Sequence, residues 1–326
     1  MPELDAEKIK KCRLVIDNLK KEMSKVVVGQ EAAMNSLVRA LLTNAHVLME
    51  GVPGIAKTLL LKTMAVVVGC DFKRVQFTVD LLPTDIIGVT AYHKEKGFYV
   101  VKGPVFTNFL LADEVNRAPP KTQSALLEAM QEKQVTIGRQ TFMLQRPFFV
   151  MATQNPIETG GTYELPEAQI DRFLFKVLVK YPEIHEEKMI IDQNIDVKSF
   201  ESYGIKPVTN GQEIIDMQEM TKKIFLSDKL KVYITKIVDS TRNPSKYGLT
   251  LGKYIDFGVS PRASIGLALA AKAEALMKGD SFVKPQQIKI VAHEVLRHRI
   301  LLSYEGMAKQ ISPDDIIDQI FRRIPV

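Results

Sequence analysis

Residues 46–68, HVLMEGVPGIAKTLLLKTMAVVV, join a short apolar run, a loop with two glycines and an apolar helical run. A strand that leads through such a loop into a helix makes a cradle for phosphate, because free backbone N–H groups and the helix dipole both point at the anion. The usual pattern, G-x-x-x-x-G-K-[ST], has glycine where this chain has Ala56. Gly51 and Gly54 still permit close approach of the backbone. We therefore predict that the loop from Gly51 to Thr58 binds the triphosphate of ATP.

Two side chains at the end of this loop have specific predicted roles. Lys57 would reach the β- and γ-phosphates, and the hydroxyl of Thr58 would coordinate Mg²⁺. The cofactors predicted from the loop are therefore ATP and Mg²⁺. The residues of this segment that we expect to contact the nucleotide are Gly51, Val52, Pro53, Gly54, Ile55, Ala56, Lys57, Thr58 and Leu59.

A pair of acids ends the apolar run FLLADE at residues 109–114. Downstream of a phosphate-binding loop, Asp113 would hold Mg²⁺ through water, and Glu114 would polarise the attacking water as general base. The alternative is that the two acids cap the helix that follows. Asn155 follows the next apolar run, in FFVMATQNP, where its amide would orient the lytic water against the γ-phosphate. Alone, Asn-Pro is also a common turn.

Short apolar runs alternate with helical stretches from about residue 26 to residue 182, which is typical of a parallel sheet with crossover helices. Five of these runs lack polar alternation, as strands buried on both faces do. We predict an α/β fold in which a parallel five-stranded sheet is flanked by helices. The predicted strands are His46–Glu50, Arg74–Phe77, Phe109–Asp113, Phe148–Ala152 and Phe173–Val179.

The chain changes character after Tyr181-Pro182, and no convincing strand follows about residue 212. Helices are expected to begin at Ser260-Pro261 and Ser312-Pro313, because serine caps free amides and proline fits the first helical position. We predict an α/β nucleotide-binding domain over residues 1–205 and an all-helical lid domain over residues 206–326, with a cleft between them.

The composition is that of an ordinary globular protein, with 46% hydrophobic and 25% charged residues among 326. Cys12 and Cys70 make no disulfide framework, which indicates a reduced protein. The first residues are charged, unlike a secretory signal, and no apolar run reaches the roughly 18 residues of a membrane helix. We therefore expect a cytoplasmic protein without membrane insertion.

The formal net charge is +6, but acids are interleaved with the bases along the chain. A nucleic-acid partner is therefore not expected, although a basic balance is typical of proteins that bind one. The densest basic cluster is Arg297-His298-Arg299, inside a helical pattern. We expect this cluster on a solvated helix face or in an inter-subunit contact.

Together these segments resemble the AAA+ ATPases, and within them the MoxR family. The resemblance covers about half of the chain, and its motifs are VVGQEAA, GVPGIAKT, LLPTDIIG, KGPVFTNFLLADEVNRAPPKTQSALLEAMQE, ATQNPIE and TYELPEAQIDRF. In the second half, the best match is SPRA at residues 260–263. The resemblance implies a P-loop AAA+ wedge and a helical lid that clamp ATP between them, in a ring of identical subunits, most simply a hexamer.

The resemblance also implies roles for residues outside the phosphate loop. Val28-Gly29-Gln30 would lie against the adenine. Arg172 would be the arginine finger that enters the neighbouring subunit's site, with Arg117 as a competing candidate. Arg262 would sense the γ-phosphate, either in its own subunit or across the interface. A guanidinium near the leaving charge stabilises the transition state. Alternatively, Arg172 forms a salt bridge with Asp171 or another acid.

Two insertions fit the same branch of the superfamily. Residues 86–105 contain a predicted hairpin with its turn at Lys94–Gly97, and residues 134–144 contain a second one with Gly138-Arg139 at the turn. In related rings such loops face the central pore and move with the nucleotide state. The alternative is that both are ordinary surface hairpins.

The leading functional prediction is an ATP-hydrolysing, ring-forming, chaperone-like protein that remodels or activates protein complexes. The resemblance implies a protein client, with a von Willebrand A domain protein as a partner. A nucleic-acid-dependent motor, with Lys133 and Arg139 on a DNA-gripping hairpin, and a chelatase-type motor subunit stay open as alternatives. A degenerate, non-enzymatic scaffold is disfavoured by the presence of Lys57, Thr58, Asp113, Glu114 and Asn155.

Overall fold

The computed structural model describes residues 6–52, 54, 57–95, 97–155, 162–194 and 200–326. The chain divides into two compact units. The first, called here the α/β unit, consists of Val15–Phe173 and Val177–Asp216. The second, the helical unit, consists of Met217–Val326, Leu174–Lys176 and the chain up to Leu14. The domain boundary between residues 205 and 206 stays a prediction.

The helices account for most of the regular structure, and each is numbered in chain order. In the first half of the chain they are α1 (Ala6–Met23), α2 (Glu31–Leu42), α3 (Lys57–Val68), α4 (Pro83–Ile87), α5 (Pro120–Glu132), α6 (Glu167–Ile170) and α7 (Ile184–Asn194). Those that follow are α8 (Gly211–Lys223), α9 (Asp228–Arg242), α10 (Pro261–Lys278), α11 (Pro285–Leu296), α12 (Tyr304–Ala308) and α13 (Pro313–Arg323). No described helix meets the length and apolarity that crossing a bilayer requires.

The strands are short, as those of a sheet packed between helices often are. They are β1 (Val47–Glu50), β2 (Phe72–Gln76), β3 (Gly88–His93), β4 (Gly97–Lys102), β5 (Phe109–Asp113), β6 (Gln134–Ile137), β7 (Gln140–Met143), β8 (Phe149–Gln154), β9 (Phe175–Leu178), β10 (Ile255–Phe257) and β11 (Leu301–Leu302).

A parallel five-stranded sheet forms the centre of the fold, in the order β2-β5-β8-β1-β9. The apolar residues of β1, β5 and β8 are buried, because helices cover both faces of the sheet. The predicted α/β fold with five parallel strands is confirmed. The bounds differ by one or two residues: β2 begins at Phe72 rather than Arg74, and β8 continues to Gln154 rather than ending at Ala152.

Both predicted hairpins are present as antiparallel pairs. β3 pairs with β4, so that His93 faces Gly97, and β6 pairs with β7, so that Ile137 faces Gln140. Gly138, in the turn of the second hairpin, has a φ of 62°, which glycine adopts at little cost. The turn residue Lys96 of the first hairpin lies outside the described residues.

A buried histidine joins three elements of the α/β unit. His46 precedes β1, its Nδ1 accepts the N–H of Val150 in β8 at 3.0 Å, and its Nε2 lies 3.2 Å from the carbonyl oxygen of Met130 in α5. These contacts require the tautomer in which Nε2 carries the proton. Burial, followed by the charge of Lys133, lowers the pKa of His46 to about 3. The imidazole is therefore a neutral cross-link inside the core.

The helical unit contains both helix starts predicted from Ser-Pro pairs. Ser312 caps α13, and its hydroxyl accepts the N–H of Asp315. Ser260 stands at the cap position of α10, but its side chain makes no capping hydrogen bond. The expectation of a strand-free second half needs a correction, because β10 and β11 form a short antiparallel ribbon. This ribbon is only a few residues long, too short to produce a visible alternation in sequence.

The basic cluster at residues 297–299 does not lie on a solvated face, which corrects the first of its two predicted placements. Arg297 donates twice to Asp314, at 3.0 and 2.9 Å, and once to the carbonyl oxygen of Lys176. Arg299 is buried and donates to the carbonyl oxygens of Leu174 and Val295. These arginines therefore act as cross-links within the helical unit.

Candidate active site

The carboxyl ends of four parallel strands bring the predicted site residues to one edge of the sheet. Gln76 at the end of β2 faces Asp113 at the end of β5, and Glu50 at the end of β1 faces Gln154 at the end of β8. β8 lies between β5 and β1, so Asn155 emerges between the acids and the phosphate loop. Ligands of open parallel sheets bind outside this edge.

The phosphate loop connects β1 to α3, as predicted. The N–H of Gly51 donates to the carbonyl oxygen of Gln154, and Gly54 has a φ of 84° that favours glycine. α3 begins at Lys57, so Lys57, Thr58 and Leu59 belong to its first turn, whose N–H groups lack partners within the helix. Of the remaining predicted contacts, Val52 is half-buried, and Pro53, Ile55 and Ala56 lie outside the described residues.

Lys57 is the basic residue of the phosphate loop. Its half-buried ammonium donates to the carbonyl oxygen of Gly51 at 2.6 Å. Burial lowers the pKa of Lys57, and the negative charges of Asp113, Glu114 and Glu50 oppose that effect. The lysine therefore lies within electrostatic reach of both acids that end β5, which the sequence could only place downstream of it.

Asp113 is held on both of its carboxylate oxygens. The hydroxyl of Thr153, in β8, donates to Oδ1 at 2.6 Å, and the guanidinium of Arg74, in β2, donates to Oδ2 at 3.0 and 2.7 Å. The carboxylate is thus fixed between its two neighbouring strands. The alternative that the acids cap the following helix is not supported. A short 3-10 helix, Val115–Arg117, follows β5, and the residue at its N-cap, Glu114, makes no capping hydrogen bond with its side chain.

Glu114 has the unusual backbone geometry of many active-site residues. Its φ is 55°, in the left-handed region, and its N–H donates to the hydroxyl of Thr153 at 2.8 Å. Its Oε2 accepts from the side-chain amide of Gln76 at 2.7 Å and from Arg117 at 3.0 Å. The two donors orient this carboxylate toward the edge of the sheet where the loop lies.

Three residues of this site were missed in the sequence analysis: Arg74, Gln76 and Thr153. Arg74 also donates to Oε1 of Gln76 at 2.7 Å, so a chain of hydrogen bonds connects Asp113, Arg74, Gln76 and Glu114. A signal was available, because polar side chains at the ends of buried strands meet when those strands are neighbours. Without the strand order, however, β2 could not be assigned to the side of β5.

The other predicted nucleotide contacts lie in the α/β unit. Val28 and Gly29 line a cavity of about 510 Å³, whose lining also includes Glu186. Gly29 has a φ of 71°, and a Cβ there would approach Oε2 of Glu186 within 2.6 Å. The buried Gln30 donates to the carbonyl oxygen of Lys180 at 3.3 Å. No described residue of the phosphate loop lines this cavity, and adenine binding here stays a prediction.

The three arginines differ in their surroundings. Arg117 is paired with Glu114 of its own subunit. Arg172 is exposed in the turn after α6, and its guanidinium makes no hydrogen bond or ion pair with any residue that the structure describes, including Asp171. Arg262 is the second residue of α10 and is exposed. Their roles toward a nucleotide stay predictions.

The donors at the sheet edge suit Mg·ATP. Magnesium takes one or two protein oxygens together with phosphates and water, and the Thr58 hydroxyl and the Asp113 carboxylate are such ligands. Among the described residues there is no group of three or more histidine, cysteine or acidic side chains that could hold a metal by itself. In nucleotide sites Mg²⁺ also takes oxygens of the bound phosphates.

Comparisons with known proteins agree with this fold. The profile of the ATPase family associated with various cellular activities (AAA) matches residues 46–175, and that of an AAA lid domain matches residues 251–320. Chaperone MoxR1 of Mycobacterium tuberculosis is 46% identical over 93% of this chain and 80% of its own length. Protein MoxR of Paracoccus denitrificans is 32% identical over 92% of this chain and 93% of its own length. A solved structure from Cytophaga hutchinsonii, 46% identical, has a TM-score of 0.91 and covers 98% of this chain and 97% of its own.

Proposed function

This chain belongs to the MoxR family of AAA+ ATPases, and from that premise we propose that it hydrolyses ATP with Mg²⁺ at the carboxyl edge of its sheet. The observation that carries the proposal is the approach of Lys57 to the consecutive acids Asp113 and Glu114, which come from a separate segment of the chain. These side chains supply a cation for the phosphates, a magnesium ligand and a general base, which are recurring parts of phosphoryl-transfer sites.

Each side chain has a distinct role in this proposal. Lys57 and the first-turn N–H groups of α3 bind the phosphates, and Thr58 and Asp113 hold the metal. Bound Mg²⁺ would neutralise charge on the phosphate oxygens. Glu114 accepts a proton from the attacking water, and Asn155, buried where β8 ends, orients that water. The contacts to Gln76 and Arg117 keep the base at the sheet edge.

We further propose that the site is completed by a second subunit in a homo-oligomeric ring, most simply a hexamer. The exposed guanidinium of Arg172 supports a role across the interface, and Arg262 would act as the γ-phosphate sensor. Val28-Gly29-Gln30 would contact the adenine. Arg117 is the weaker candidate for the finger, because it is already paired with the base.

The biological role we propose is chaperone-like remodelling of a protein client, with a von Willebrand A domain protein as a partner. It is supported by the relative named Chaperone MoxR1. The two free cysteines, Cys12 and Cys70, are consistent with a cytoplasmic location. The interleaving of acids with bases in the sequence favours a protein client over nucleic acid.

Phosphate release by the purified chain tests the catalytic assignment. We expect Lys57→Ala to lose ATP binding, and Glu114→Gln to bind ATP but hydrolyse it at least about 10²-fold more slowly, as loss of a general base does. Glu128→Gln, an exposed carboxylate on α5, is the control and should leave the rate unchanged. Undiminished turnover in Glu114→Gln would refute the assignment of the base.

A further inference from the structure

The helical unit contains an open groove of about 560 Å³ that includes none of the residues assigned above. Three segments form it: the end of α8 with the loop that follows, one face of α9, and one face of α10, which packs against α9. Its deepest apolar side chains, Ile224, Leu226 and Ile234, are buried. The groove is therefore an apolar trough between two long helices.

Apolar side chains continue from the floor of the groove to its rim. Ile265 on α10 is 62% exposed and Phe225 is 44% exposed. Ile265, Ala268 and Leu269 follow one another at helical spacing, so they form a continuous stripe on one face of α10. Exposing a contiguous apolar surface of this kind is costly in water, and such surfaces commonly mark a binding site for another protein.

The charged residues that line the groove are lysines: Lys223 on α8, Lys231 on α9 and Lys272 on α10. The part of the chain that the structure describes contributes no acidic residue to this lining. Asp228, the acid paired with Lys231 at 2.8 Å, is not part of the lining. The ammonium of Lys272 donates to the carbonyl oxygen of Lys222, and burial followed by the charge of Lys231 lowers the pKa of Lys272. An anionic partner would relieve this repulsion.

We propose that this lysine-rimmed groove binds an acidic amphipathic helix from a partner protein. A trough between two helices accepts a third helix, which would place an apolar stripe on Ile234, Ile265 and Leu269. Carboxylates on either side of that stripe would reach Lys223, Lys231 and Lys272. A basic helix would meet like charges on three sides. Among the described residues that line the groove there is also no buried polar side chain of the kind that orients a small ligand.

Fluorescence anisotropy with designed peptides tests this proposal on the full chain without nucleotide, so failure of the ATPase assignment would not affect the result. The probe is a labelled helix of about four turns with a leucine stripe flanked by glutamates. We expect it to bind, and to bind more weakly as salt is raised. A peptide with lysines in place of the glutamates, and one of scrambled order without the stripe, should both bind at least about tenfold more weakly.

Variants locate the binding surface. Ile265→Asp, and Lys231→Glu combined with Lys272→Glu, should each weaken binding of the acidic peptide about tenfold or more. Lys236→Glu, on α9 but outside the groove, should change it less than about twofold. Absence of binding, equal binding of the control peptides, or unchanged binding to Ile265→Asp would overturn the proposal. Light scattering without peptide gives a further check. If Ile265→Asp had a lower mass than the wild type, the occupant of the groove would be a second copy of the chain, and the proposal would be overturned.

Discussion

Individual side chains of β2 hold the acids that end β5. Arg74 binds Asp113 with two donors, and Gln76 links Arg74 to Glu114. Arg74 is half-exposed, so water screens its ion pair and weakens it relative to a buried pair. These contacts therefore contribute mainly to the positions of the side chains rather than to stability. They fix the directions of both carboxylates before a nucleotide binds.

Gln76→Ala tests this positioning at the scale of one residue. Removing the amide leaves Oε2 of Glu114 with Arg117 as its remaining side-chain donor among the described residues. We expect kcat for ATP hydrolysis to fall about tenfold with little change in KM, because orientation of the base matters only in the reacting complex. Gln145→Ala, an exposed glutamine after β7, serves as the control. A faster rate in Gln76→Ala would mean that Gln76 restrains the base instead.

At the scale of elements, two of the serines at helix starts in the helical unit, Ser260 and Ser312, give a matched comparison, because each is followed by proline. Ser312 bonds the N–H of Asp315, whereas Ser260 makes no capping bond at the start of α10. We expect Ser312→Ala to lower the free energy of unfolding by about 1 kcal/mol, and Ser260→Ala to lower it by much less. Urea denaturation of both variants checks this. Equal losses would show that the hydrogen bond is not the source of the effect.

The cross-link made by His46 between β1, β8 and α5 predicts a dependence of stability on pH. The pKa of His46 is lowered from 6.5 to about 3 in the folded chain, so the unfolded chain binds the proton first as pH falls. The contribution of His46 to the free energy of unfolding is therefore fully present above pH 6.5. It is lost toward pH 3, by up to about 1.4 kcal/mol per pH unit.

Urea denaturation across this pH range measures the slope. His46→Gln keeps a donor and an acceptor but does not titrate, so its free energy of unfolding should fall less steeply than that of the wild type. The comparison of slopes holds even if the variant is less stable at every pH. Parallel slopes for the two proteins would contradict the assignment to His46.

At the scale of the whole molecule, mixing two inactive variants tests whether the site is shared between subunits. Arg172→Ala should assemble but not hydrolyse ATP, and Lys57→Ala should not bind it. In mixed rings, an intact loop can face an intact Arg172, so activity should return to at most about a quarter of the wild-type rate. The separate variants at the same total concentration are the control. No recovery in rings shown to be mixed, by co-purification of differently tagged variants, would exclude a trans role for Arg172.

Residues close together in sequence were sufficient to predict the loop between β1 and α3, the five parallel strands, both hairpins, and the two acids Asp113 and Glu114 where β5 ends. Each of these depends on local periodicity or on a strand followed directly by a loop. The residues that complete the site were not predictable in this way. Arg74 meets Asp113 across 39 positions of sequence, and that contact exists only because β2 and β5 are neighbours in the sheet.

The amino-acid sequence by itself determined the parallel sheet and located the residues to which we assign a phosphate cradle, a magnesium ligand and a base. Tertiary structure alone decided which side chains orient them, that Arg297 and Arg299 are internal cross-links rather than a basic surface, and that three lysines surround one apolar groove. The physical reason is that a side chain's partner and its burial depend on which elements pack together. Composition and spacing give the identity of each side chain, but they do not give the residues that it contacts in the folded chain.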